Sequence, residues 1–305
     1  YFHKKTVDIL TTRAASVPTS FGAILPPENL GETSNRGIEA IVRYEDKVGD
    51  FGYSIEGNVT WAKSKILFID EASDVKEWQR RTGRPFDQFL GYKAMGFFQS
   101  QEEINNWAIQ DGNNNSRLKV GDIKYDDYDK NGVIDGRDKV FVGKSQIPEV
   151  IFGLNLAASY KQFDLAMSFQ GATGFDQYMT WDPFNLESNA LAIFKDSWSE
   201  DNPNAKYPRL YAGTYQNNRE DSSFWLYDGT YVRLRNIELA YTFSKHDFLK
   251  KVGIQGLRIF VSGNNILTFS KMKDFDPEAP SIKPGEKQYY YPQMKTYNFG
   301  FNLEF

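Results

Sequence analysis

The residues with the clearest chemistry are Asp127, Asp129, Asn131, Val133, Asp135 and Asp138, which lie within residues 127–138, DYDKNGVIDGRD. Oxygen-bearing side chains stand at loop positions 1, 3, 5, 9 and 12, and the Val133 carbonyl falls at position 7. Gly132 at position 6 permits the sharp turn that lets such a loop wrap a hard cation. The cofactor this spacing implies is a structural Ca2+ that rigidifies its segment. One position departs from the EF-hand pattern: Asp138 stands where a Glu would chelate with two oxygens, and its shorter arm reaches through one oxygen or a water. The extended character of Gly121–Tyr125 leaves no flanking helix pair, so an EF-hand switch is not implied. The competing reading is an acidic surface turn that binds nothing.

Other residue types point away from catalysis. Cys is absent, which removes thiolate nucleophiles and thiolate metal sites. Only His3 and His246 could supply an imidazole, and no Ser or carboxylate motif accompanies either. Paired carboxylates such as Glu102–Glu103 and Glu200–Asp201 read as solvated charge. Trp107, Trp181, Trp198 and Trp225 fall between strands, where they suit sugar stacking, a partner protein or simple packing. Net charge is −4 and no basic stripe interleaves with aromatics, so nucleic acid is not an expected partner.

The elements that position these residues repeat with a period of two. Tyr297, Phe299, Phe301, Leu303 and Phe305 alternate with Asn298, Gly300, Asn302 and Glu304, giving one apolar and one polar face. Residues 150–160 and 163–171 behave alike around a short Lys161–Gln162 turn, as do residues 51–62. Strands are also expected near 1–10, 36–44, 231–243, 256–267 and 296–305, and a one-residue phase shift around Arg235 suits a bulge. That makes about eight strands, each near the length of a tilted membrane strand. Between them, long segments (11–35, 63–148, 172–230, 268–295) alternate with shorter ones (45–50, 161–162, 244–255). A short helix is expected over 187–198.

No run of about 18 apolar residues exists, so no transmembrane helix is expected. A mean hydropathy of −0.56 does not decide the matter, because a barrel strand's two faces cancel in any average. The fold class read here is all-β: the C-terminal strands of a large transmembrane antiparallel barrel, with every long loop extracellular and short turns periplasmic. Aromatics at 16% of residues are well supplied for interface girdles. The chain opens Tyr1-Phe2-His3 with no Met or signal peptide, so a preceding N-terminal portion is expected. The alternative is a soluble, calcium-stabilised carbohydrate-binding β-module such as a sandwich. A hydrolase lacks a nucleophile or His-centred constellation.

In order along the chain, GDIKY (121–125), WSEDNPNAKYPRL (198–210), YVRLRNIELAYTF (231–243), LRIFVSGNNILTF (257–269), Asp276-Pro277-Glu278 and the closing YNFGFNLEF (297–305) resemble the C-terminal portion of SusC/RagA-type TonB-dependent transporters of Bacteroidetes. Phe305 is similar to the terminal aromatic that barrel-assembly machinery recognises. The resemblance implies active import of glycans or peptides across the outer membrane of a Gram-negative bacterium. It further implies a SusD-like lipoprotein lid and energy from the TonB complex through a plug and TonB box, neither of which lies in these residues. No substrate-contacting residue carries over.

Overall fold

The computed structural model describes residues 1–11, 26–179, 192–211, 217–244, 253–280 and 290–305. In chain order the strands are β1 (Phe2–Thr11), β2 (Glu28–Val48), β3 (Phe51–Phe68), β4 (Gln88–Gly91), β5 (Ala94–Phe97), β6 (Ile123–Tyr125), β7 (Val140–Ser145) and β8 (Val150–Tyr160). They continue as β9 (Phe163–Thr173), β10 (Asp176–Tyr178), β11 (Leu226–Asp228), β12 (Tyr231–Ser244), β13 (Gly256–Ser270) and β14 (Thr296–Glu304). One helix, α1 (Gln101–Asn105), follows β5. Among the described residues no helix is long and apolar enough to cross a membrane, which says nothing of a barrel.

Eight strands form the main sheet in the order β1-β2-β3-β8-β9-β12-β13-β14. Every pairing is antiparallel and joins strands in chain order, so the sheet is a meander. Successive connections therefore leave from opposite ends. The connections β2–β3, β8–β9 and β12–β13 leave from one end of the sheet; the longer β1–β2, β3–β8, β9–β12 and β13–β14 connections leave from the other. Gly49 (φ 61°) and Lys161 (φ 53°) supply the left-handed conformation that two-residue hairpins need. The sheet is open: β1 and β14 are its edges.

Register gives the sheet two unlike faces. Tyr44, Ile55, Leu156, Met167 and Ile237 lie directly across from one another on one face. Much of that face is uncovered, with Val42 70% and Phe299 72% exposed and Tyr44, Ile55, Leu239, Val261 and Phe301 also open. On the other face the row Arg43, Glu56, Asn155, Ser168 and Asn236 is polar. There Asn155 Nδ2 donates to Glu56 Oε1 (3.2 Å) and Ser168 Oγ to Asn155 Oδ1 (2.7 Å). Aromatic rings gather at the short-turn end, including Phe163–Tyr241 with centroids 4.7 Å apart and Tyr241–Phe243 at 4.6 Å.

The phase shift at Arg235 is a bulge: register slips between Leu234 and Asn236 against both β9 and β13. Above it Leu234 opposes Phe169, below it Ile237 opposes Met167, and both pairs keep the apolar face. Several strands run past the expected bounds. β2 begins at Glu28 and ends at Val48, not 36–44, and β3 ends at Phe68, not 62, so the connections 11–35, 45–50 and 63–148 are all shorter than expected. β12 and β13 likewise end at Ser244 and Ser270. The extra length in β2 is polar, pairing Lys5 with Ser34 and Thr33 with Ile66, and backbone pairing extends a strand where no two-faced pattern marks it.

At the long-loop end the polar face is covered by residues 276–279. Arg233, 3% exposed, holds Asp276 (2.7 Å) and Glu278 (2.6 Å); Arg235 adds a second ion pair to Glu278 and bonds Gln170 Oε1 (2.8 Å). Gln293 N donates to Asp276 Oδ2 (2.7 Å), which carries the tie toward β14. Removing one partner of such a buried pair strands the rest. Arg233→Ala is expected to destabilise this closed arrangement by about 3 kcal/mol, read as faster amide exchange across 276–279; unchanged exchange would remove the network from its role as the tie.

Candidate metal loop and the platform that holds it

The acidic run lies in the connection between β3 and β8, which builds a small core of its own. β4 pairs with β7 and β5 with β6. Tyr92, Ile123, Tyr125 and Ile134 form one buried cluster, backed by Phe97, Trp107 and Phe224. Tyr178, Phe194, Tyr207 and Trp225 form another, which brings in the connection between β9 and β12. Short strands of three to six residues show no alternation in sequence.

The two connections are joined by a buried polar network. Asn218, fully buried, accepts from Ile123 N (2.9 Å) and donates to Asp122 Oδ1 (3.0 Å). Asp122, also fully buried, pairs with Arg209 Nε (2.8 Å) and accepts from Lys119 N (2.8 Å). Burial pushes its carboxyl above the ordinary carboxylate range, against the pull of Arg209 and these hydrogen bonds. Gln110 and Asn217 both donate to Ile123 O (2.8 and 3.0 Å), and Tyr125 OH donates to Asn217 O (2.5 Å). Main-chain bonds complete the joint: Tyr92 N to Asp221 O (2.7 Å), Ser223 N to Tyr92 O (2.8 Å) and Arg209 N to Gly121 O (2.9 Å). Gly121 (φ 88°) has Trp198 so close that a Cβ there would lie 2.3 Å from the ring.

On this platform the acidic loop is preformed. Carboxylate oxygens of Asp127, Asp129 and Asp138 lie within 4.8 Å of one another. Asp138, 1% exposed, accepts backbone N–H groups of Tyr128 (2.9 Å), Asp129 (3.1 Å) and Asp135 (2.8 Å), so it closes the loop onto its own start. Asp127 Oδ2 accepts from Gly132 N (2.8 Å) and Asn131 Oδ1 from Val133 N (2.8 Å). Gly132 (φ 83°) makes the turn. Ile109 takes Gly132 O (2.9 Å) and Ile134 N (2.8 Å), which leaves the Val133 carbonyl outside that pairing. Asp135 differs from the others: it caps the turn Gly136–Asp138 and pairs with Arg137 (2.8 Å), which holds its carboxyl below the usual range. Trp78 Nε1 clamps Arg137 O (2.9 Å) from outside. The structure thus gathers three of the six expected ligands as carboxylates, with Asn131 and Val133 folded beside them.

The remaining sequence candidates serve packing. Trp225 is 2% exposed, Trp107 donates to Tyr125 O (3.0 Å), and Trp198 covers Gly121. Glu103 pairs with Lys124 across α1 and β6, while His3 is exposed on β1. Of the expected helix 187–198, a 3-10 turn spans Ala192–Asp196, and 187–191 lie outside the described residues, as do Trp181 and His246. Sequence reasoning missed Asp122, Asn217 and Asn218, whose types read as surface; a GD pair ahead of a strand was the one available signal.

No family model matches the sequence. The TonB-dependent receptor P3 of Formosa agariphila is 29% identical over 330 residues, covering 100% of this chain and 32% of that receptor. The TonB-dependent receptor SusC of Bacteroides thetaiotaomicron is 25% identical over 316 residues, covering 100% of this chain and 29% of SusC. The solved RagAB peptide importer in its open-open state shares the fold with a TM-score of 0.69 at 19% identity, over 99% of this chain and 32% of that one. The chain spans about a third of the length of the curated relatives it matches. Along its whole length it is similar to SusC/RagA-type TonB-dependent receptors, and it has the fold of part of their β-barrel.

The platform's joint yields a test. Asn218→Ala leaves the buried Ile123 N without its acceptor and takes one of two donors from Asp122 Oδ1, which keeps Arg209, at about 2 kcal/mol for the unmet donor. Proteolysis of the two long connections is expected to accelerate about tenfold or more while the main sheet stays resistant, and equal rates would show the joint to be dispensable.

Proposed function

We propose that this chain supplies eight strands and the outer loops of a TonB-dependent importer of oligomeric nutrients, glycans or peptides, in the outer membrane of a Gram-negative bacterium. The observation that carries the reading is the main sheet: one exposed apolar face along a meander whose long connections all leave from one end. Hydrocarbon tolerates such a face only where every backbone group is paired within a closed sheet, so β1 and β14 meet further strands of the same barrel. The apolar face then lies in lipid, the aromatic rings at the short-turn end sit at the periplasmic interface, and the long connections face outward. Those connections are where a SusD-like lipoprotein lid docks, and the plug and TonB contact belong to the remainder of the receptor. The reading is of transport by movement of plug and lid, with no bond chemistry assigned to these residues. The soluble carbohydrate-binding module is disfavoured by the open apolar face, which water would not tolerate at this extent.

The acidic loop is the structural calcium site of the outer platform in this proposal. Asp127, Asp129, Asn131, the Val133 carbonyl and Asp138 would hold the ion, with Asp135 reaching it through a water while its pair with Arg137 persists. Bound Ca2+ would offset the repulsion among three carboxylates and lock residues 127–138 onto Ile109 and Trp78.

Two measurements follow. The full-length receptor should fractionate with the outer membrane, co-purify with a lipoprotein and lose uptake of its nutrient when TonB is deleted; a soluble protein with TonB-independent function overturns the transporter. Purified receptor should be cleaved between residues 69 and 149 about tenfold faster after chelation, with calcium restoring resistance in the native protein and not in an Asp127→Ala/Asp129→Ala variant. Equal cleavage with and without chelator would mean that the loop is ordered by its own hydrogen bonds.

A further inference from the structure

On the apolar face of the main sheet, β2 and β3 stay in unbroken register from Thr33 to Val48, and Ile38 and Trp61 lie opposite one another where the apolar run ends. Phe51 to Trp61, at about 3.3 Å per residue and with the tilt of a barrel strand, rises about 25 Å, the height of a barrel's lipid-facing band. The next position on the same face sets Arg36 opposite Lys63, and His3 of β1 opposite Arg36. One position further, Ser34 has Lys65 on one side and Lys5 on the other. All five of these basic residues are exposed. Glu32 and Glu149 answer two of them, at 2.8 Å from Lys5 and 3.2 Å from Lys63. Arg36 and Lys65 meet no carboxylate among the described residues. The cluster is local: toward the long connections the same face of β9, β12 and β13 carries Gly171, Val232, Leu267 and Phe269, none of them charged.

We propose that this patch binds the phosphate-bearing headgroup of a lipid in the outer leaflet, a proposal that rests on the barrel reading above. Like charges set directly opposite one another on paired strands repel, and an anion lying across His3, Arg36 and Lys63 relieves that repulsion. Arg36 offers a planar fork that suits two phosphate oxygens, and the lysines around it offer point charges. Trp61 marks the depth at which headgroups lie, since indole rings settle at the membrane interface. Below it, the exposed side chains of Ile38, Val42 and Val59 take the acyl chains of the same molecule. Free phosphate would use only the upper half of this surface. An amphiphile whose phosphate borders hydrocarbon uses both halves, which is how a basic cluster beside the membrane core selects an anionic lipid.

The test uses the full-length receptor in detergent, with bound lipid counted by native mass spectrometry. The probes are monophosphoryl lipid A, the same lipid after dephosphorylation, and inorganic phosphate as competitor. Arg36→Gln/Lys63→Gln removes two charges from the patch, and His3→Gln/Lys65→Gln neutralises a second pair within it should the first variant fail to assemble. Lys4→Gln/Arg43→Gln removes two charges from the opposite face of the same strands and serves as the control. Monophosphoryl lipid A is expected to bind the native receptor and the control alike, and either patch variant tenfold or more weakly. The dephosphorylated lipid is expected to bind at that weak level throughout. Equal binding of the two lipids, an equal loss in the control, or displacement of the lipid by equimolar inorganic phosphate each overturns the proposal. Fractionation of the same strains separates the two levels. A receptor in the outer membrane whose lipid binding ignores the patch variants keeps the barrel and loses the site, whereas a receptor soluble without detergent removes the barrel reading itself.

Discussion

Register is the constraint on which the rest of the structure depends. In a sheet with side chains of period two, a slip of one residue turns a whole strand's apolar set to the opposite face. Seven strands here, β2 to β14 of the main sheet, hold one face apolar from Tyr44 across to Ile237 and on to Val261 and Phe299. Where the sequence of β12 breaks phase, the strand absorbs the break against β9 in a single extra residue at Arg235. The bulge does more than save the pattern. It sets Arg235 beside Arg233, so both guanidinium groups reach Glu278 and fold residues 276–279 over the polar face. A feature that looks like a defect in alternation is thus the anchor between wall and loop.

The loops solve a different problem with different means. Long connections on a sheet end have too few apolar residues to bury a core alone, and these two pool what they have: Tyr92 and Tyr125 from one, Trp225 and Tyr207 from the other. The joint between them is polar. Asp122, Asn217 and Asn218 are buried, and each is met by backbone or side-chain partners from the opposite connection. Such a network is costly to break and specifies one arrangement, which gives the acidic loop a rigid seat.

What could be read from the sequence follows these two regimes. Alternation marks the strands wherever two environments differ, and it marks even the bulge. It fails where both faces are polar, which is why the first third of β2 looked like loop. It fails again in β4 to β7 and in β10 and β11, whose three to six residues are too few for a period. The acidic loop stands out in sequence because oxygen-bearing side chains recur at fixed spacing within one short run, and the structure brings three of its carboxylates together. The platform beneath it was not, since Asn and Gln report burial only through partners about a hundred residues away, as in Asn218 with Ile123.

The segments whose likeness to the family was read one by one turn out to touch. Gly121 packs under Trp198 and accepts from Arg209 N; Arg233 and Arg235 hold Asp276 and Glu278. Soft motifs far apart in a chain have a common physical cause when each supplies half of a buried polar or steric contact, because neither half can change alone without stranding the other. The outer surface between these contacts has no such restraint. A rigid joint and a rigid anchor therefore let the exposed loop residues change without disturbing the scaffold beneath them.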